Sequence, residues 1–82
     1  ELRQRLVVAF KAEAQEHVQA VSSGLVALEG MTEAPERTPV VESVYREIHS
    51  LKGAARAVDQ LEIESICQAM ESVFAALKRG YA

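Results

Sequence analysis

The sequence predicts an all-α fold, an antiparallel bundle with three long helices present, and three observations predict it. Apolar residues recur at spacings of three and four along most of the chain, and no stretch alternates with period two as a half-buried strand would. The composition, 49% hydrophobic and 26% charged with four glycines and two prolines, is that of a helical domain rather than a sheet or a disordered tail. Start and stop signals then divide the 82 residues, one domain at most, into three helical segments without internal repeats.

The first helix is expected over about residues 2–29, with Leu6, Phe10, Ala14, Val18, Val21, Leu25 and Leu28 as its buried stripe. Ser22-Ser23-Gly24 interrupts good helix formers, but the periodicity runs through it, so one continuous helix is expected with this triplet as the place for a bend. Gly30 reads as the C-terminal cap, and residues 30–37 as a loop whose length suits antiparallel neighbours. The second helix, about 39–58, opens at Thr38 as N-cap, with Pro39 in the first helical position and Glu42 in the first turn. Its stripe is Val41, Val44, Ile48, Leu51, Ala55 and Val58. The third, about 60–79, follows a capping box in which Asp59 caps and Glu62 reaches back. It buries Ile63, Ile66, Met70, Val73 and Leu77; Lys78 and Arg79 complement its dipole, and Gly80 stops it.

Charge and composition exclude several function classes. A net charge of −3, with nine basic residues dispersed along the chain, gives no nucleic-acid-binding surface. No apolar run approaches the roughly 18 residues that suggest a membrane span, and no signal peptide is visible, although a chain opening at Glu1 reads as a portion of a longer protein. The single Cys67 excludes an intrachain disulfide, fits a reducing, cytoplasmic setting, and reads as a small, partly buried hydrophobe. Two histidines thirty-two residues apart form no metal site.

One stretch carries chemistry. His49-Ser50-Leu51-Lys52-Gly53 lies mid-helix, with His49 one step off the apolar stripe and Lys52 and Gly53 one turn further along the same face. A glycine inside a helix costs roughly 1 kcal/mol relative to alanine, so Gly53 calls for a reason. Removing a side chain there clears the approach of a large partner to the ring. A nucleophilic ring, a neighbouring cation and a cleared approach suggest a phosphoryl carrier. His17, beside the stripe of the first helix, reads as a packing or boundary histidine.

The second and third helices resemble the histidine phosphotransfer (Hpt) domain, in particular the one at the N-terminus of chemotaxis histidine kinases of the CheA type. The resemblance rests on Arg46-x-x-His49-Ser50-Leu51-Lys52-Gly53-Ala54-Ala55, a capped turn, and Gln68-Ala69-Met70-Glu71. Phe10-x-x-Glu13-Ala14-x-Glu16 adds a weaker match in the first helix. His-x-x-Lys-Gly alone is a frequent chance match; a glutamate twenty-two residues later on the partner helix makes it fairly specific.

The resemblance implies a two-component phosphoryl carrier. His49 would accept a phosphoryl group from a histidine kinase ATP-binding domain and pass it to an aspartate of a response-regulator receiver domain. Glu71 would hydrogen-bond the Nδ1 side of His49, leaving Nε2 as nucleophile. Lys52 would meet the phosphoryl charge, and Gln68 would stand behind the ring. Gly53, Arg56, Arg46 and Ser50 would border the partner surface. The resemblance also implies no cofactor bound by this module, with ATP and Mg²⁺ used by partner domains, so the module is substrate and carrier within a histidine kinase system rather than a self-sufficient enzyme.

The chain departs from the family in two places. Gln68 stands where the chemotaxis kinases usually have a second histidine, which keeps hydrogen bonding but cannot titrate. The usual glycine-rich continuation is here Ala54-Ala55-Arg56-Ala57-Val58-Asp59, which places Arg56 one further turn along the His49 face, as a candidate determinant of which receiver is accepted.

Two other readings compete. A protein-interaction or dimerisation module would show the same amphipathic patterning. A small enzyme acting on its own substrate finds no glycine-rich oxyanion loop and too little chain for a pocket. The resembled domain closes its bundle with a fourth helix. Three helices patterned for four would leave a groove lined by Val73, Leu77 and Leu25, to be covered by a helix further along the parent chain, or else by a second copy or another protein.

Overall fold

The computed structural model describes residues 1–80 and contains three helices: α1 Leu2–Glu29, α2 Ala34–Ala57 and α3 Leu61–Lys78. Among the described residues, five of the nine buried side chains come from α2, namely Val41, Val44, Ile48, Leu51 and Ala55. Phe10 and Val21 come from α1, and Cys67 and Phe74 from α3. The expected α2 stripe is thus the centre of the core, with Val58 packed at its end. Helix α2 packs against both neighbours, while α1 and α3 make no close backbone approach to each other. The result is a thin slab, 50 × 19 × 14 Å. Among the described residues no helix is long and apolar enough to cross a membrane.

Contacts at both interfaces fix the chain direction. His17 meets Glu47, and Gly24 lies against Val40 and Val44, so α1 and α2 are antiparallel. His49 meets Glu71, Lys52 meets Gln68, and Arg56 meets Glu64, so α3 returns antiparallel along α2.

Helix α1 runs unbroken through Ser22-Ser23-Gly24, and Gly24 has a packing role there. A Cβ on Gly24 would collide with Val44 Cγ2, so the glycine lets α2 come close. Gly30 is the cap residue as expected, its N–H bonded to Ala27 O. Gly80, at φ +82°, takes the left-handed conformation that ends α3.

Two expected boundaries are corrected. Thr38 does not cap α2: the helix begins five residues earlier, at Ala34 rather than Pro39, after an extended Glu33, with Pro35 in the first turn and Pro39 inside. The Thr38 hydroxyl instead donates to Ala34 O at 2.9 Å. Pro39 leaves the Pro35 carbonyl without its usual N–H donor, a small loss near a helix end where water can replace it. Nor does Asp59 cap α3. It sits at φ +58°, with its N–H on Arg56 O and the Gln60 N–H on Ala55 O at 2.9 Å. This is a Schellman termination of α2, with Asp in the left-handed position that glycine usually takes. Gln60 is the N-cap of α3 and makes no side-chain capping bond.

The outer helices bury narrower stripes than periodicity suggests. Leu6, Val18, Leu25, Ile66 and Val73 are exposed. Each outer helix has one neighbour, so only the residues turned toward α2 are covered, Phe74 among them. An apolar groove of about 400 Å³ runs between α1 and α3, lined by Val18, Leu25, Ile63, Ile66 and Met70 over Ile48. Of the three residues expected to line such a groove, Leu25 does. Leu77 lines a separate cleft beside Arg37 and Val41, and Val73 lines neither.

Gly24 and Gly53 are both helical, and alanine should affect them oppositely. At Gly53 a Cβ meets nothing within 4 Å, so Gly53→Ala should gain about 1 kcal/mol of helix propensity. At Gly24 the same gain is outweighed by overpacking against Val44, which is buried and stiff at χ1, at about 1–3 kcal/mol. Urea midpoints should therefore rise for Gly53→Ala and fall for Gly24→Ala. A rise for both would rule out the close approach at Gly24.

Candidate functional site

The antiparallel return of α3 brings four of the singled-out residues together. His49 Nδ1 lies 3.0 Å from Glu71 Oε2. Lys52 Nζ lies 2.9 Å from the same oxygen and 3.1 Å from both Glu71 Oε1 and Gln68 Oε1. Lys52 therefore points its donors toward α3 and is not a free surface lysine.

Burial is graded across the cluster. The Glu71 side chain is 13% exposed, Lys52 20% and His49 63%. Behind them lie Ile48, Leu51 and Cys67, all buried, so the charged groups rest on the core while the ring and Gln68 reach into solvent. The Lys52 hydrogen bond, and after it that of His49, hold the Glu71 carboxyl below its ordinary range. Glu71 is therefore an acceptor at neutral pH, and Nδ1 must carry the proton that the 3.0 Å bond needs. In the neutral ring this leaves the lone pair on Nε2, which has no protein partner among the described residues. Burial pushes the Cys67 thiol up, with the Glu71 charge adding to it, so it is no ready nucleophile.

The expected border residues lie around this cluster. Gly53, Arg46 and Ser50 are exposed. Arg56 is 78% exposed but engaged, its Nε 2.9 Å from Glu64 Oε2 across the α2–α3 turn. So exposed a pair is worth under about 1 kcal/mol, and Arg56 can exchange partners readily.

Two features lie outside the residues that the sequence singles out for chemistry. Tyr45, one turn before His49, stacks on its ring with centroids 6.3 Å apart and planes 10° from parallel, and Lys78 Nζ lies 4.3 Å from the Tyr45 centroid. The i,i+4 spacing of Tyr45 and His49 was the available signal. The second feature is at His17, the boundary position expected for it. Its Nδ1 is 2.6 Å from Glu47 Oε2, tying α1 to α2, and its Nε2 is 3.4 Å from Glu13 Oε1. Nothing in the residue pattern paired position 17 with 47.

The Hpt domain family matches residues 5–81, and the chain belongs to that family, whose members are phosphotransfer modules of two-component signalling. Among curated proteins the chain is similar to the chemotaxis protein CheA of Borreliella burgdorferi, at 27% identity over 77 residues. That match covers 94% of this chain and 9% of the relative's length. No solved structure matches at a significant level.

The His17 contacts generate a pH dependence of stability. The hydrogen bond to Glu47 raises the His17 pKa above 6.5, against the opposing effect of burial, and Glu13 adds to the rise. A raised folded pKa means that the contribution is complete below about 6.5 and is lost as pH rises through the folded value. Thermal melts from pH 6 to pH 9 should show this loss, and His17→Gln should flatten that part of the profile. An unchanged slope in His17→Gln would show that the α1–α2 contact is not linked to protonation.

Proposed function

We propose that the chain is the phosphoryl-carrying module of a chemotaxis-type histidine kinase, in which His49 takes a phosphoryl group from the kinase ATP-binding domain and yields it to a receiver aspartate. The observation that carries this reading is the 3.0 Å contact of His49 Nδ1 with a carboxylate while Nε2 faces solvent.

The chemistry balances without moving the Nδ1 proton. The Nε2 lone pair attacks phosphorus, and the Nε2–P bond forms as the bond to the leaving nucleotide oxygen breaks, that oxygen keeping the electron pair. The ring is then cationic, and Glu71 offsets its charge. When the receiver carboxylate attacks phosphorus, the Nε2–P bond breaks and its electrons return to Nε2. Phosphoryl transfer relies on positioning and charge stabilisation, so the module needs few groups of its own. ATP and Mg²⁺ are used by the partner domains.

Lys52 first serves Glu71, keeping it ionised and aimed at the ring. Its flexible stem lets it release Gln68 and turn toward an arriving phosphoryl oxygen. Gly53 leaves bare surface beside the ring for the partner, bordered by Arg46, Ser50 and Arg56. The setting of this chemistry is the cytoplasm, where ATP-dependent kinases and receivers meet.

Incubation with kinase cores and ATP, or with phosphorylated receivers, should label the chain. His49→Gln should abolish the label and His17→Gln should leave it. Glu71→Ala and Lys52→Ala should slow transfer by roughly 10-fold or more, the scale of a charged hydrogen bond. Gly53→Phe should impede receiver docking without unfolding the helix. Label that persists in His49→Gln would sink the reading, and partner binding without any transfer would favour a pure interaction module.

The exposed groove between α1 and α3 supports a second element of this reading, that a further helix of the parent chain completes the bundle there. A chain extended by about 40 residues, one helix with its loop, should melt higher than residues 1–82 alone and remain monomeric. If residues 1–82 alone melted as cooperatively as the extended chain while monomeric, the groove would need no helix. Sedimentation as a dimer would assign it to a second copy.

A further inference from the structure

Tyr45 belongs to none of the roles above, yet it makes the closest aromatic approach to the reactive ring. It lies one turn before His49 on α2, partly buried against the core, with the two ring planes 10° apart. Its other neighbour is Lys78 from the end of α3, whose Nζ is 4.3 Å from the ring centroid. Both contacts use the aromatic ring rather than the hydroxyl.

The geometry of the imidazole explains why such a contact matters. The Nε2 lone pair lies in the ring plane, so the orientation of that plane sets the line along which phosphorus can be attacked. Rotation about the last side-chain bond of histidine is broad and weakly restrained. A single hydrogen bond to Glu71 holds one edge of a ring that is 63% exposed. A stacked neighbour restrains the plane across its face, adding to the hold that the hydrogen bond gives at one edge. Tyr45 in turn is held between its core contacts and the Lys78 cation, which favours the electron-rich ring face.

We propose that Tyr45, held by Lys78, is a positioning residue for His49 that fixes the plane of the imidazole for in-line phosphoryl transfer. The proposal rests on His49 being the phosphoryl carrier. Glu71 sets which nitrogen is free and holds one edge of the ring, and Tyr45 narrows the range over which that nitrogen points. Tyr45→Leu keeps an apolar side chain against the core while removing the stack. Tyr45→Phe keeps both the stack and the cation contact. Lys78→Met keeps the stem and removes the charge.

The test measures phosphorylation of the purified chain by a kinase core with ATP, with the module as varied substrate, alongside thermal melts and ¹⁵N spectra of the His49 ring. Tyr45→Leu should lower kcat roughly 3- to 10-fold at unchanged KM, the range an aromatic pair can supply. The Nδ1–H tautomer should persist, since Glu71 is intact, and melting should be nearly unchanged. Tyr45→Phe should restore most of the rate, and Lys78→Met should shift kcat in the direction of Tyr45→Leu. A wild-type kcat in Tyr45→Leu would overturn the proposal. So would a raised KM at unchanged kcat, which would make Tyr45 a docking residue. Absence of label on His49 in the wild-type chain would instead remove the carrier reading on which the proposal stands.

Discussion

The site depends first on the register in which α3 returns along α2, and that register is set at Val58-Asp59-Gln60. The turn is short, so a shift of one residue would turn the α3 face that meets α2 by about 100°. Asp59 in the left-handed region and the Gln60 N–H on Ala55 O close it in one geometry. Ala55 is fully buried, so the carbonyl receiving that bond is tied to the core packing. From this corner the contacts follow in order along the interface: Arg56 with Glu64, Lys52 with Gln68, His49 with Glu71, and Tyr45 with Lys78. An aspartate in the left-handed position is tolerated because its short polar side chain suits that backbone, though glycine would suit it better.

Along that interface the side chains divide by depth. Ile48, Leu51 and Ala55 fill the seam, and the next positions round the helix place Lys52 and Glu71 on its margin. A carboxylate at this depth is screened less than a surface pair, so its two donors matter to its charge state. The folded Glu71 pKa is lowered, so its contribution to stability is present above the ordinary carboxylate range and is lost as pH falls through the lowered value. Across neutral pH the carboxylate stays an acceptor and the ring keeps its orientation. A molecule approaching from solvent meets the imidazole first, because the cation and the carboxylate are set back.

Much of this was legible in the residues, for identifiable reasons. The bounds of α1 followed from uninterrupted periodicity ending in glycine, and the α2 stripe was found because a central helix buries a broad face. The family resemblance, rather than residue spacing, implied the pairing of Glu71 with His49, since spacing alone does not give the register of two helices. The start of α2 was misplaced because two prolines four apart each suit a first turn, and Pro39 is followed by the better apolar pattern. Asp59 followed by glutamate three residues on reads as a capping box, while the backbone uses the same aspartate to end the preceding helix. Leu25, Ile66 and Val73 continue their helical periods without saying which neighbour covers them. The pairing of Tyr45 with Lys78 depends on interhelical distance, which residue spacing within one helix does not contain.

The two histidines are held alike at one ring nitrogen and differ at the other. Each places Nδ1 against a glutamate on a neighbouring helix, at 2.6 Å for His17 and 3.0 Å for His49. They differ at the other nitrogen. His17 Nε2 faces Glu13 one turn back on its own helix, and the side chain is only 18% exposed, so one edge ties α1 to α2 and the other is held within α1. Two carboxylates favour the charged ring, which has no lone pair to offer. His49 has one carboxylate, and the place one turn further along its exposed face is taken by Gly53, which supplies neither an acceptor nor a steric cover. The glycine that weakens α2 by about 1 kcal/mol is thus part of what keeps Nε2 open. The same residue type is closed at both nitrogens in one helix and left open at one in the next, according to what lies a turn away along its own helix.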